Sequence, residues 1–188
     1  AYWVDTHKGQ IGRASTSTGS LLPPLQVGTA PQQVQGFQGD DDPNSKLLDQ
    51  KIAIYAAGAN SKILFQQHGY GGSVGSPFET FRTCNLDGTG VVDLSLTPTA
   101  SGTSAVAIDS VNSKLYRAKS IAGGAAEIYR CNIDGTNQET VLMIVDTGGF
   151  GERYVVESIA IDSAGAGKIY WIQTVYDPTV PFLSLIHI

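Results

Sequence analysis

The side chains in this sequence best suited to recognition chemistry are aromatic rings interleaved with a few charges: Phe37, His68, Tyr70, Phe150, Arg153, Tyr154 and Tyr176. All seven fall in stretches that read as connections between strands. Aromatic rings beside an arginine suit the binding of a protein or a glycan, because a rigid apolar face sheds water readily while the polar tips still hydrogen-bond. These seven are the expected ligand-binding residues. Any one of the rings is equally suited to packing its own loop, so the expectation attaches to the surface they share.

Reactive chemistry is harder to find. Asp40-Asp41-Asp42-Pro43-Asn44 offers hard oxygen ligands, but it lacks the alternating acidic spacing and terminal glutamate of a Ca²⁺ loop, and it reads as a solvated acidic turn. His7 and His68 fall at matching places after two strands, with no cysteine or carboxylate at metal-ligand spacing. Gly69-Tyr70-Gly71-Gly72-Ser73-Val74-Gly75 is rich in glycine yet matches no phosphate-binding loop. There is no Gly-x-Ser-x-Gly elbow and no His-Glu-x-x-His. The expectation is therefore no catalytic residue, no metal site and no cofactor.

What must position the aromatic residues is a repeated unit. Val106-Ala-Ile-Asp-Ser-Val-Asn-Ser-Lys114-Leu-Tyr116 matches Ile159-Ala-Ile-Asp-Ser-Ala-Gly-Ala-Gly-Lys168-Ile-Tyr170, and Ile52 to Phe65 is a third copy. A unit of several short strands recurring at roughly 50 residues marks a β-propeller blade. Each repeat reads as four strands, A to D. Strand A is an apolar run expected to be buried on both faces; B follows the Lys62, Lys114 or Lys168 turn; C ends at Asn85 or Asn132; an Asp-Gly turn leads into D. The expected fold is all-β, with four-stranded antiparallel blades, three to four of them present in residues 1–182: a partial blade at 1–27, blades at 48–97 and 104–146, and a partial blade at 158–174.

The same spacing suggests where binding resides. A–B and C–D turns are short and alike, whereas the B–C and D–A connections are long and dissimilar, and in an antiparallel meander these two kinds emerge at the same end of the sheet. One end is constant and the other variable. Asp109 and Asp162 close A–B turns, where a carboxylate caps local backbone amides. Cys84 and Cys131 occupy equivalent strand positions in two repeats, too far apart for a disulfide, and are expected as two separate thiols.

Composition narrows the partners. A formal charge of -5 with no Lys/Arg cluster disfavours nucleic acid, and no apolar run reaches the length of a membrane helix, so no membrane insertion is expected. Leu183-Ser-Leu-Ile-His-Ile188 resembles a translated sequencing-library adapter, which suggests an open reading frame cut short during assembly from environmental DNA. On that reading, residues 183–188 form a tail outside the fold.

Tyr2-Trp3-Val4-Asp5 and Ile128-Tyr-Arg-Cys-Asn-Ile-Asp-Gly-Thr136 resemble the YWTD repeats, or LDL-receptor class B repeats, of six-bladed propellers; NHL-type propellers are the next nearest family. The resemblance spans most of the chain but departs at Gln67, Lys119 and Gln173, where the family's aspartate would stand; only Asp5 retains it. In that family the aspartate helps tie neighbouring blades. The resemblance implies a fragment of a six-bladed ring, an extracellular or cell-surface location, and non-catalytic binding through the loop-rich face. Two other readings remain open: a metal-dependent propeller enzyme of lyase or lactonase type, and a structural fragment that self-associates through open blade edges.

Overall fold

Short apolar runs, each closed by a lysine-led turn, build the sheets. The computed structural model describes residues 1–5, 10–26, 46–70, 77–94, 96, 103–121, 124–145, 153–163, 167–177 and 180–187. They fall into two compact units, Ala1–Pro98 and Thr99–Ile188. The first unit holds a sheet in the order β1 (Tyr2–Asp5), β2 (Gln10–Ala14), β3 (Leu21–Gln26), and a sheet of β4 (Lys46–Tyr55), β5 (Lys62–Tyr70), β6 (Pro77–Asn85) and β7 (Val92–Asp93). In the second, β8 (Thr103–Asp109), β9 (Lys114–Ser120), β10 (Ala126–Asn132) and β11 (Glu139–Ile144) form one sheet, and β12 (Arg153–Asp162), β13 (Lys168–Asp177) and β14 (Val180–His187) the other. The chain is all-β, in four antiparallel meanders of the kind that make propeller blades.

Several strands run further than their sequence pattern suggests. β5 continues through Gln67 and His68 to Tyr70, paired on both sides as far as Gly69 and with β6 alone at Tyr70, although that stretch lacks apolar–polar alternation. Past Thr174, β13 extends to Asp177, and β14 pairs with it from Trp171↔His187 to Asp177↔Val180. Residues 183–187, read from sequence as a tail, therefore lie within a paired strand. Strand length here follows the partner backbone, which satisfies amides whatever the side chains are.

Each unit has its own core. In the first, Ile11, Leu25, Ile63, Phe65 and Cys84 are buried together, with Tyr2 and Ile52 packed against them. In the second, Ala105, Ala118, Ala126 and Ile128 from the β8–β11 sheet meet Val156 and Ile159 of β12, with Trp171 and Ile169 alongside. Alanines on one sheet facing large side chains on the other let two sheets approach closely without voids. The expectation for strand A fails. Val106, Ala107 and Ile108 of β8 are only half-buried, while β9 is buried along most of both faces. β8 is an edge strand, so its outer side has no neighbour in the sheet to cover it.

The C–D turn repeats atom for atom in two sheets. Asp87 Oδ1 accepts from Thr89 N at 2.9 Å and from Thr89 Oγ1 at 2.7 Å; Asp134 does the same with Thr136, at 2.9 and 2.7 Å. Gly88 and Gly135 take φ of 85° and 89°, a conformation open to glycine at little steric cost. Lys62 donates to Asn85 Oδ1, and Lys114 to Asn132 Oδ1 at 2.7 Å, locking the start of strand B to the end of C. In the first sheet Gly12 pairs with Trp3, and a Cβ at Gly12 would lie 2.2 Å from the indole Cε2. The ring covers the bare backbone.

Cys84 and Cys131 are buried free thiols. Burial, with Asp87 adding to it at Cys84, pushes both up to about 11. The nucleophilic thiolate is thus scarce at neutral pH. We expect dithionitrobenzoate at pH 7.5 to leave both thiols of the folded protein unlabelled over minutes and to titrate both after denaturation in guanidinium; rapid native labelling of either would contradict the burial described.

Candidate functional site

The candidate site is built at the end of each sheet where the B–C and D–A connections lie. In the first unit, β5 carries His68 opposite Leu47 and Glu79, and Tyr70 opposite Pro77, so both predicted residues occupy strand positions and not a loop. In the second unit, Arg153 opens β12 and pairs directly with Tyr176 of β13; Tyr154 pairs with Val175. The backbone thus sets three of the predicted residues side by side. Phe37 and Phe150 lie outside the described residues.

Tyr154 is held most firmly. Its amide donates to Gly124 O at 2.7 Å, and its carbonyl accepts from Ser120 Oγ at 3.4 Å, which joins β12 to the B–C connection of the neighbouring sheet. That connection is itself closed by Ile121 N donating to Ala125 O at 2.8 Å. The Tyr154 side chain is half-buried against the second core. Its backbone therefore ties this end of β12 to the neighbouring sheet, next to the Arg153↔Tyr176 register pair.

The opposite end of the same unit brings Asp109 together with Tyr116 and Arg130, two residues not expected from the sequence. Asp109, 3% exposed, caps the A–B turn as expected: Oδ1 accepts from Val111 N and Asn112 N, both at 3.0 Å, and Oδ2 from Asn112 Nδ2 at 2.7 Å. It also reaches the next sheet, accepting from Ser163 Oγ at 2.7 Å. Burial alone would raise its pKa, but the bonds from Asn112, Ser163 and Val111 outweigh burial and hold the carboxyl below the usual range. An aspartate thus ties the two sheets of this unit together, at the end of strand A.

Beside that tie, a cleft of about 340 Å³ opens between the two sheets of the second unit, lined by Asp109, Lys114, Tyr116 and Arg130 on one side and Ile161 and Ile169 on the other. Arg130 donates through Nε to Glu139 Oε1 at 2.5 Å, and the neighbouring Tyr116 hydroxyl together with Glu139 raises its pKa further. On β9 and β10 a second cationic group is wholly structural: Arg117 is 1% exposed with its guanidinium carbon 4.5 Å from the Tyr129 ring centroid, and Lys119 lies 5.1 Å from the same ring and 2.9 Å from Glu127. A cation against a ring face is favourable when both are desolvated.

Among the described residues, no three His, Cys, Asp or Glu side chains group to hold a metal ion, and no helix is long and apolar enough to cross a membrane. No family model matches the chain, and no curated protein matches it.

Proposed function

We propose that the chain is part of a YWTD-like propeller that binds a protein or glycan, without catalysis, through the end of its sheets bearing the long connections, in an extracellular or cell-surface setting. The observation that carries this reading is the Arg153–Tyr176 pair, set side by side in register and anchored through Tyr154 to Gly124 and Ser120. Paired strands hold the two backbone positions in place, so little backbone entropy is lost when a partner binds there. Tyr and Arg are also the residue types that dominate binding energy at interfaces.

The test is a glycan array together with a displayed random-peptide library, each probed with the intact chain and with Arg153→Ala and Tyr176→Ala variants. We expect hits that weaken about 30-fold in either variant, matching the roughly 2 kcal/mol of a hot-spot residue. Hits retained equally by both variants, or no hit from either collection, would sink the reading. Thermal melts of the variants guard against misfolding.

A further inference from the structure

The cleft between the β8–β11 and β12–β14 sheets carries residues that the repeat does not require. In the first unit the positions equivalent by register differ in kind: Tyr55, opposite Lys62, stands where Asp109 stands opposite Lys114, and the Leu64–Thr83 pair stands where Tyr116 pairs with Arg130. The turn lysine and asparagine recur in both sheets, as a structural element should. Tyr116 and Arg130 do not. A sheet of this design forms with Leu and Thr at those positions, so Tyr116 and Arg130, unlike the structural Asp109 and Lys114 beside them, are not needed to make the fold.

Its chemistry is balanced rather than charged. Lys114 and Arg130 are offset by Asp109 and by Glu139 on Arg130, so the cleft offers no surplus positive field to an anion. It offers mixed hydrogen bonding instead. Lys114 spends one N–H on Asn132 and has two more; the Tyr116 hydroxyl can donate as well as accept; Asp109 Oδ2 accepts one bond, from Asn112, and has capacity for more. Ile161 and Ile169 supply an apolar wall opposite. A volume of about 340 Å³ sits at the small end of the range for small-molecule sites.

We propose that this cleft binds a single neutral sugar unit, with Lys114, Arg130 and Tyr116 donating to its hydroxyl oxygens, Asp109 accepting, and Ile161 and Ile169 against its C–H face. A sugar ring presents the same alternation of donors and acceptors around an apolar face, and it needs no net charge. This site is at the opposite end of the sheets from Arg153 and Tyr176, so it adds to the loop-end reading and does not depend on it.

Saturation-transfer NMR and calorimetry with methyl glycosides of glucose, galactose, mannose and N-acetylglucosamine test it, with glucuronate, galacturonate and inorganic phosphate as charged probes. We expect at least one neutral glycoside to bind with a Kd near 1 mM or tighter and the charged probes to bind more weakly. Arg130→Thr and Tyr116→Leu install the residues the first unit carries at the same register, and each should weaken binding at least 10-fold. Two variants are used because Tyr116 is 6% exposed and its replacement tests packing as well, whereas Arg130 is largely at the surface. Preference for uronate or phosphate, binding unchanged in Arg130→Thr, or no neutral glycoside bound would each overturn the proposal.

Discussion

Replacing Asp109 with alanine lowers the melting temperature of the second unit by about 15 °C. The carboxylate serves four donors, from Val111, Asn112 twice, and Ser163, and it is buried. Hydrogen bonds to a charged group contribute about 1.5–3 kcal/mol each but do not add when they share an acceptor, so about 3 kcal/mol is the expected loss. For a unit of this size each kcal/mol moves the midpoint by roughly 4–8 °C. Ser163→Ala alone, which removes only the tie to the next sheet, should cost about 1 kcal/mol, and a double-mutant cycle should show the two losses to be coupled. The effect has a pH signature. Because the folded pKa is depressed, the stabilisation is complete above the unfolded value of about 3.9 and disappears as the pH falls through the lower folded value, so wild type and Asp109→Ala converge in acid and separate at neutral pH. A shift under 3 °C at pH 7, read by calorimetry, would show that the turn and the tie carry little.

Phe65→Ala acts on the first unit with a loss of about 3–5 kcal/mol, the range for truncating a buried aromatic ring. Phe65 is fully buried with Ile11, Leu25, Ile63 and Cys84, side chains drawn from two sheets. Removing the ring leaves a cavity that neither sheet can close without giving up its own pairing. Urea denaturation should show a lower midpoint with little change in slope, and Phe65→Leu, which keeps most of the volume, should lose under about 1.5 kcal/mol. If Phe65→Ala falls within 1 kcal/mol of wild type, the two sheets of the first unit are not packed face to face in solution.

The order of the sheets was legible from the recurring Ala-Ile and turn-lysine pattern, because strand A, the turn and strand B are local and each copy spells them alike. The turns at Asp87-Gly88 and Asp134-Gly135 were legible for the same reason. Strand ends were not. Gln67 and His68 belong to β5 because β4 and β6 continue beside them, Tyr70 because β6 does, and a partner's length leaves no mark on the residues it pairs with. Half of strand A's burial was misjudged because an apolar run looks the same at the edge of a sheet as at its centre. Arg153 and Tyr176 stand 23 residues apart in the chain, and only the β12–β13 register makes them neighbours. Tyr116 and Arg130 went unnoticed for a subtler reason: their interest lies in contrast with Leu64 and Thr83, and that contrast is visible only after the pairing aligns the two sheets.

The turn shared by Asn85–Thr89 and Asn132–Thr136 is closed by hydrogen bonds among its own residues and from the lysine of the adjacent strand. Contacts of such short sequence separation form early, since little chain must be restrained to make them. Each hairpin thus carries its own folding instructions. A chain assembled from such modules can be copied end to end by gene duplication without any copy having to relearn its hairpin, which leaves the opposite connections free to diverge.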